Sequence, residues 1–146
     1  MKKKDFESNI VIKAHKMAKD VRLCSDYKFY KMGAVIFNNK KILVAASNEN
    51  KTNPLQVEYN KYRNFDTSKM KPCIHAEINA LLRLRRLYPE VKASDVAIFV
   101  YRETKDGKEA LARPCPACEQ ALRDYGITDI YYTGKDSMIY EKYEKK

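Results

Sequence analysis

The stretches that decide the fold are residues 75–84, His-Ala-Glu-Ile-Asn-Ala-Leu-Leu-Arg-Leu, and residues 114–118, Pro-Cys-Pro-Ala-Cys. Apolar residues with helical spacing follow each stretch, and the second pattern ends at Gly126, a residue type that commonly terminates helices. The sequence therefore predicts two helices, one beginning at each stretch. A histidine stands at the start of the first helix and two cysteines stand at the start of the second.

The histidine and the two cysteines have the spacing of a zinc site. Cys115 and Cys118 are three residues apart, so in the first turn of a helix their sulfur atoms can share Zn²⁺ at ~2.3 Å. The positive end of the helix dipole favours the ionised thiolates that bind metal. With His75 as third ligand, the fourth position is left for water, as in catalytic zinc sites. Glu77 can face the same cavity only if His75 lies at the irregular start of its helix.

Together these residues form the pattern H-x-E followed by P-C-x-x-C, the signature of the zinc-dependent nucleobase deaminases. The chain thus resembles the cytidine/deoxycytidylate deaminase superfamily, and its pattern is most similar to that of the deoxycytidylate deaminases. The resemblance implies Zn²⁺ as the cofactor and hydrolytic deamination of a nucleobase, with cytosine in a free nucleotide such as dCMP as the first expectation. Zinc activates the attacking water, and Glu77 carries protons to the base and to the departing ammonia.

Three alternatives stay open at this level. Cys73 could be a fourth ligand that closes a structural Cys₃His site. The enzyme could instead act on single-stranded nucleic acid, either single-stranded DNA or adenosine in tRNA. The chain could also be a catalytically idle, zinc-stabilised binding module, although Glu77 argues against this because a structural site has no need of a carboxylate there.

Length and composition fit a single domain spanning residues 1–146. Of these residues 45% are hydrophobic, which is enough to bury a core without disulfides. No run approaches the ~20 apolar residues of a membrane span, and the first residues do not resemble a signal peptide. Four cysteines, two of them assigned to zinc, suit a reducing compartment. We therefore expect a cytoplasmic protein with no membrane partner.

The net charge of +10 is unevenly distributed along the chain. Residues 1–48 carry 11 basic and 4 acidic side chains, residues 49–94 carry 9 and 5, and residues 95–146 carry 9 and 10. The basic excess therefore lies before the cysteine motif. A field of this sign favours polyanions or phosphorylated small molecules as partners.

Hydrophobic periodicity predicts an α/β fold of three layers, in which a mixed sheet of about five strands lies between helices. The resemblance implies the same cytidine-deaminase-like fold. The polar tail from Gly134 is predicted to form a final helix. The helix that links the last two predicted strands makes a crossover, which favours parallel pairing. The other predicted elements are a first helix at 6–23, a hairpin of strands at 31–37 and 41–48, and strands at 95–101 and 127–133.

Two segments set this chain apart: an insertion that departs from the common pattern of the family, and a connection that resembles the family's variable substrate loop. Residues 102–113 are an insertion in which Asp106-Gly107 marks a tight turn, so we expect an extended hairpin that reaches past the active site. Residues 49–74 form a long connection in which an aromatic residue recurs every third position, at Tyr59, Tyr62 and Phe65. This connection is either an aromatic and cationic platform for bases and phosphates or a short helix that packs its aromatic side on the domain, and we favour the helix.

Several residues are predicted to contact the substrate. The resemblance implies a sugar contact for Asn48, at the end of the second predicted strand, and a substrate contact for Ala76. Lys51, Arg63 and Arg113 are the predicted phosphate contacts, although Arg113 could equally form a structural ion pair. The other cationic residues are scattered along the chain, which favours a small nucleotide over a polymer. Relatives generally self-associate, so a homo-oligomer is expected.

Overall fold

The computed structural model of the protein describes residues 8–27, 30–51, 53–62, 74–134 and 138–143. Short 3₁₀ turns lie at Arg22–Cys24, Asn60–Tyr62 and Ala93–Asp95. The helices and strands, in chain order, are α1 (Ser8–Val21), β1 (Tyr30–Phe37), β2 (Ile42–Ser47), α2 (Pro54–Tyr59), α3 (Ala76–Leu87), β3 (Ala97–Thr104), β4 (Glu109–Ala110), α4 (Pro116–Tyr125), β5 (Asp129–Thr133) and β6 (Met138–Lys142).

Local sequence signals account for the ends of the helices. The side chain of Asn53 accepts a hydrogen bond from the Leu55 amide at the start of α2, and Pro54 is the first residue of that helix. Pro116 likewise begins α4. That helix ends at Gly126, whose φ of 104° lies in the left-handed region that glycine adopts without strain. The predicted end of α4 is therefore confirmed.

The strands form one mixed sheet in the order β2-β1-β3-β5-β6, and β4 pairs with β3 at one end. Strand β1 is antiparallel to both β2 and β3, which confirms the predicted hairpin of the first two strands. Strand β3 runs parallel to β5, as the predicted crossover through α4 requires. The antiparallel pairing of β3 with β4 confirms the hairpin predicted within residues 102–113.

Alternate residues of each strand face opposite layers of the fold. In β1, Met32, Ala34 and Ile36 pack in a core with residues of α3 and α4, whereas Val35 and Phe37 pack with α1. The sheet thus lies between α1 on one side and α3 and α4 on the other, and the predicted three-layer architecture is confirmed. Strand β3 repeats the alternation, with Ile98 and Val100 on the first side and Ala97, Phe99 and Tyr101 on the second.

The final helix predicted from Gly134 is wrong. Met138–Lys142 instead form β6, which pairs antiparallel with β5. Their side chains alternate between exposed and half-buried, and Ile139 packs against the core. An edge strand needs only one side with apolar contacts, so the polarity of this tail does not prevent it from pairing. The pairing also satisfies backbone groups that β5 would otherwise present at the edge of the sheet.

Gly33 in β1 lies where α1 approaches the sheet most closely. A Cβ atom added there would overlap the carbonyl oxygen of Ala18 and would lie 2.7 Å from Cγ1 of Val21. We predict that Gly33→Ala lowers the free energy of unfolding by about 1–3 kcal/mol, because the overlap pushes α1 away from β1. Chemical denaturation followed by circular dichroism measures the change. The control is Lys13→Ala on the exposed side of α1, and equal stability of the two variants would contradict the prediction.

Candidate metal and catalytic site

The starts of α3 and α4 lie at one edge of the sheet. The residue before His75, Ile74, bridges Glu49 just after the end of β2. On the α4 side, the amide of Ala112 donates a hydrogen bond to the carbonyl oxygen of Thr133, the last residue of β5. Strands β2, β3 and β5 run in the same direction, so these contacts place both helix starts at the carboxyl ends of the strands. Ligands commonly bind at this edge in α/β sheets.

His75 and Cys115 occupy the same position in their helices. His75 is the N-cap of α3, with φ −80° and ψ 155°, and Cys115 is the N-cap of α4, with φ −69° and ψ 167°. Both residues are therefore extended, and their side chains can turn toward a common point beside the first helical turn. This confirms the predicted placement of His75 at an irregular helix start. Cys118 follows within the first turn of α4.

Three donor atoms meet between the two helices. The Nδ1 atom of His75 lies 3.3 Å from the sulfur of Cys118 and 3.6 Å from the sulfur of Cys115, and all three donor atoms lie within 4.8 Å of one another. Tetrahedral nitrogen and sulfur ligands around Zn²⁺ are about 3.5–3.8 Å apart, given bonds of about 2.0–2.3 Å. The donor set and its spacing thus fit zinc. Within the described part of the chain no fourth His, Cys, Asp or Glu joins this cluster, and Cys73 lies outside that part.

The surroundings of Cys115 favour its thiolate form. Its pKa is lowered to about 3, first by a hydrogen bond involving Cys118 and also by its contact with His75. Burial acts in the opposite direction but is outweighed. A thiolate is the form in which cysteine binds metal, so the local environment prepares the site for a cation.

Glu77 is buried beside this cluster without a hydrogen-bond partner for one of its oxygen atoms. The residue is 1% exposed, and Oε1 has no partner among the described residues. Burial raises the pKa of the carboxyl group to about 7, while the electrostatic effect of His75 lowers it, that of Cys115 raises it, and a hydrogen bond with Cys118 lowers it. A buried carboxylate oxygen without a partner costs free energy, which is a common feature of functional sites.

Two polar residues that the sequence did not single out position His75. Gln56 of α2 is fully buried, and its Oε1 accepts a hydrogen bond of 2.9 Å from the His75 amide. One turn into α3, buried Asn79 donates to the Ser47 carbonyl at 3.0 Å and to Glu49 Oε2 at 2.7 Å. These contacts fix the start of α3 against α2 and the end of β2. The available signal for Asn79 was a polar residue inside an apolar helix pattern.

The described part of the aromatic segment forms the short helix α2 and a 3₁₀ turn, in agreement with the predicted helix. The hydroxyl group of Tyr59 donates to Asp124 Oδ2 at 2.7 Å, which ties α2 to α4. Burial and this hydrogen bond raise the pKa of Tyr59 to about 12. Tyr62 follows in a 3₁₀ turn with its ring centroid 5.9 Å from that of Tyr59 and is 40% exposed. Phe65 lies outside the described residues.

The predicted substrate contacts at the strand and helix ends are both buried. Asn48 is 3% exposed; its Oδ1 accepts from the Met32 amide at 2.9 Å, and its Nδ2 donates to the Tyr30 carbonyl at 3.3 Å. Its side chain therefore holds the end of β2 to the start of β1. Ala76, the first residue of α3, is fully buried. Their roles toward a substrate stay predictions.

The predicted phosphate contacts have different environments. Arg113 forms the structural ion pair that was its alternative role: its Nε and Nη2 donate to the two carboxylate oxygens of Glu141 at 3.1 and 2.9 Å, and Glu119 lies 3.4 Å away. These contacts raise the pKa of Arg113. The Lys51 side chain is 60% exposed, with Nζ 3.5 Å from Glu49. Arg63 lies outside the described residues.

A cluster of one histidine and two cysteines with a buried carboxylate beside it can perform hydrolysis at a metal ion. Three protein ligands would leave one position of a bound Zn²⁺ for water, and a carboxylate in the same pocket could move protons. The fold and the site thus have the features of α/β proteins with a hydrolytic zinc centre, and this is the class with which the chain is compared.

The family is shown by the sequence itself. Residues 5–134 match the family described as the cytidine and deoxycytidylate deaminase zinc-binding region. The match covers most of the chain and includes both helix starts, so the protein belongs to this family. Zn²⁺ is accordingly its cofactor, and His75, Cys115 and Cys118 are arranged to hold it. No protein of curated function matches the sequence.

Solved structures show the same fold at low sequence identity. The dCMP deaminase of cyanophage S-TIM5 in apo form has a TM-score of 0.60 at 22% identity, covering 88% of this chain and 86% of that one. The same enzyme in complex with dCMP and dUMP has a TM-score of 0.58 at 21% identity, covering 88% and 83%. A cytidine deaminase from Burkholderia pseudomallei has a TM-score of 0.63 at 20% identity, covering 90% and 91%. The fold is therefore the cytidine-deaminase-like fold.

The chain contains no described helix that is both long and apolar enough to span a membrane.

We predict that the purified protein binds one Zn²⁺ per chain and that Cys118→Ser abolishes this binding, because a hydroxyl group replaces a buried thiolate ligand. Elemental analysis measures the metal content, and the absorption of the Co²⁺-substituted protein reports the number of sulfur ligands. The matched control is Cys24→Ser, at an exposed cysteine outside the cluster.

Metal content and Co²⁺ absorption also distinguish a zinc site with one position open for water from a site closed by a fourth protein ligand. Cys73→Ser is expected to keep both the metal and the sulfur-to-cobalt absorption of the unchanged protein. Loss of one sulfur ligand in this variant would indicate a structural Cys₃His site and would contradict the open position.

Proposed function

We propose that this protein hydrolytically deaminates cytosine in a free nucleotide such as dCMP. One observation carries the proposal: Glu77 is 1% exposed, and its Oε1 has no hydrogen-bond partner among the described residues, beside a set of three metal ligands. A structural zinc site gains nothing from a buried carboxylate that has one oxygen atom without a partner. An enzyme that adds water and releases ammonia needs such a group.

The residues divide the chemistry between them. When bound, Zn²⁺ supplies Lewis-acid activation that makes water a nucleophile at neutral pH. Glu77 accepts the proton of the attacking water and delivers it to the ring nitrogen of the base. It then assists the departure of the amino group, so water is consumed and ammonia is released. His75, Cys115 and Cys118 hold the metal, and burial of Glu77 keeps bulk water from its carboxylate.

The substrate class is supported by the family and by the distribution of charge. The family takes its name from enzymes of cytidine and of deoxycytidylate, and the S-TIM5 enzyme was solved with dCMP and dUMP. In this chain Lys13, Lys16 and Lys19 are exposed on α1, across the sheet from the metal ligands. These lysines cannot line a groove that leads a polynucleotide into the site, which favours a substrate with few phosphates.

Under the same proposal, Asn48 and Ala76 lie at the sugar and base side of the substrate, and Lys51, Arg63 and Arg113 remain candidates for its phosphate. Arg113 would have to exchange its contacts with Glu141 and Glu119 to serve in this way. We also propose one deaminase domain over residues 1–146 and, from the family resemblance, a homo-oligomer. Light scattering with a known concentration series measures the oligomeric state.

Replacing Glu77 by Gln tests its role as proton carrier. The amide keeps the size of the side chain but cannot accept the proton, so kcat is expected to fall by about 10²–10⁴-fold while the Zn²⁺ content is retained. Ammonia release measures the rate, and elemental analysis measures the metal. The control is Glu90→Gln at an exposed glutamate, which should be as active as the unchanged protein. A Glu77→Gln enzyme of near-normal activity would exclude this role.

The salt dependence of the reaction tests the class of substrate. We predict that dCMP is deaminated and that its KM changes little between low and moderate salt, because one or two phosphate contacts release few counterions. Cytosine and adenine substrates are to be compared as nucleoside, monophosphate, triphosphate and single-stranded oligonucleotide. Conversion of the oligonucleotide alone, with binding that weakens steeply with salt, would reverse the choice of substrate and leave the zinc chemistry intact.

A further inference from the structure

Arg102 in β3 lies on the same side of the sheet as the metal ligands. In β3 the residues at even positions, Ile98 and Val100, pack in the core with α3 and α4, and Arg102 continues this alternation. It is near the carboxyl end of the strand, at the edge where α3 and α4 begin. Its guanidinium group stacks over the ring of Tyr30, with Cζ 4.6 Å from the ring centroid.

Arg102 differs from four other arginines because no oxygen atom among the described residues accepts a hydrogen bond from its Nε. Its Nε is buried without a hydrogen-bond acceptor, and the described residues provide no ion pair for its guanidinium group. A buried donor without an acceptor costs free energy, more so in a charged group. By contrast, Arg22 donates to Glu103, Arg83 to the Ala45 carbonyl, Arg113 to Glu141 and Arg123 to Glu119.

The position of Arg102 is linked to that of Asn48 through β1. Arg102 is the register partner of Met32, whose amide donates to the side chain of Asn48 from the opposite side of β1. Neighbouring strands are about 4.8 Å apart, so the Cα atoms of Arg102 and Asn48 are about 10 Å apart. Tyr30 joins the two, because its carbonyl accepts from Asn48 and its ring lies under the guanidinium group.

We propose that Arg102, supported by the ring of Tyr30, binds the 5′-phosphate of the nucleotide substrate. The inference deepens the proposed function and rests on it. A guanidinium group presents a planar set of donors that matches phosphate oxygens, and stacking on an aromatic ring holds that plane in place before the ligand arrives. The phosphate supplies the acceptor that the buried Nε lacks.

Arg102 is a better phosphate partner than Arg113 in the conformation described. Arg113 already shares its charge with Glu141 and Glu119, so a phosphate would have to displace two carboxylates. For Arg102, the part of the chain that the structure describes contains no carboxylate that a phosphate would have to displace. Its neighbour Glu103 points to the other side of the sheet, where it pairs with Arg22 at 2.8 Å.

The test compares substrates that differ only in the phosphate. In the zinc-loaded protein, Arg102→Ala is expected to raise the KM for dCMP by about 10- to 100-fold, because a charge-assisted hydrogen bond is lost. Deamination of deoxycytidine should be unchanged. Arg102→Lys should lose less, because it keeps the charge but not the planar fork. The Arg102→Lys variant also provides the test if Arg102→Ala does not fold. The control is Arg86→Ala, at an exposed arginine in the last turn of α3.

Calorimetry provides a readout that does not depend on turnover. The unchanged protein is expected to bind dUMP more tightly than deoxyuridine, and Arg102→Ala should remove this difference. Suppose that both results are obtained but that the unchanged protein deaminates no cytosine nucleotide. The phosphate site is then supported and the proposed function is contradicted.

Three results would overturn the inference while leaving the proposed function in place. The first is equal binding of dUMP and deoxyuridine by the unchanged protein. The second is an Arg102→Ala enzyme whose activity on dCMP is normal, or falls no more than its activity on deoxycytidine. The third is a loss restricted to single-stranded oligonucleotides, which would assign Arg102 to a polynucleotide backbone instead.

Discussion

The structure depends on the meeting of two helix N-termini over one set of metal donors. His75 and Cys115 are N-caps with extended backbones, and the Nδ1 and sulfur atoms of the cluster are 3.3 and 3.6 Å apart. The residues beside the donors, Ala76 in α3 and Ala117 in α4, are small and fully buried. The positive ends of two helix dipoles face the same point, so thiolates are favoured there.

This arrangement has a cost that the remaining fold offsets. Two helix starts and a buried carboxylate lie beside three polar donors, of which one is buried and two are half-buried. Buried polar groups without partners destabilise the folded state. Gln56 and Asn79 offset part of this by satisfying backbone groups on both sides of α3. The oxygen of Glu77 that stays without a partner among the described residues leaves part of this cost without compensation.

The sheet separates two kinds of surface. On the side of α1, exposed lysines contribute part of the net charge of +10. The sheet separates these lysines from the metal ligands. On the side of α3 and α4, Arg113 and Arg123 are paired with carboxylates, whereas the structure gives Arg102 an aromatic ring and no described carboxylate. Net charge therefore describes the surface of this protein better than it describes its site.

The sequence by itself determined the elements that carry a local signal. The patterns around His75 and Cys115 predicted two helix starts, a zinc site and the family, because ligand spacing and helix periodicity are properties of neighbouring residues. The crossover rule then predicted the parallel pairing of β3 with β5 from the order of the elements alone. These predictions agree with the structure and with the family match.

Only the tertiary structure decided the contacts between distant segments. Residues 138–142 carry a polar pattern that predicted a helix, yet the free edge of β5 makes them a strand. Gln56 reaches the amide of His75 across 19 positions, and Arg102 stacks on Tyr30 because β1 and β3 are neighbours in the sheet. A side chain's partner across the fold depends on strand order and register, which no local period encodes, so the sequence could name the chemistry of the site but not the residues that surround it.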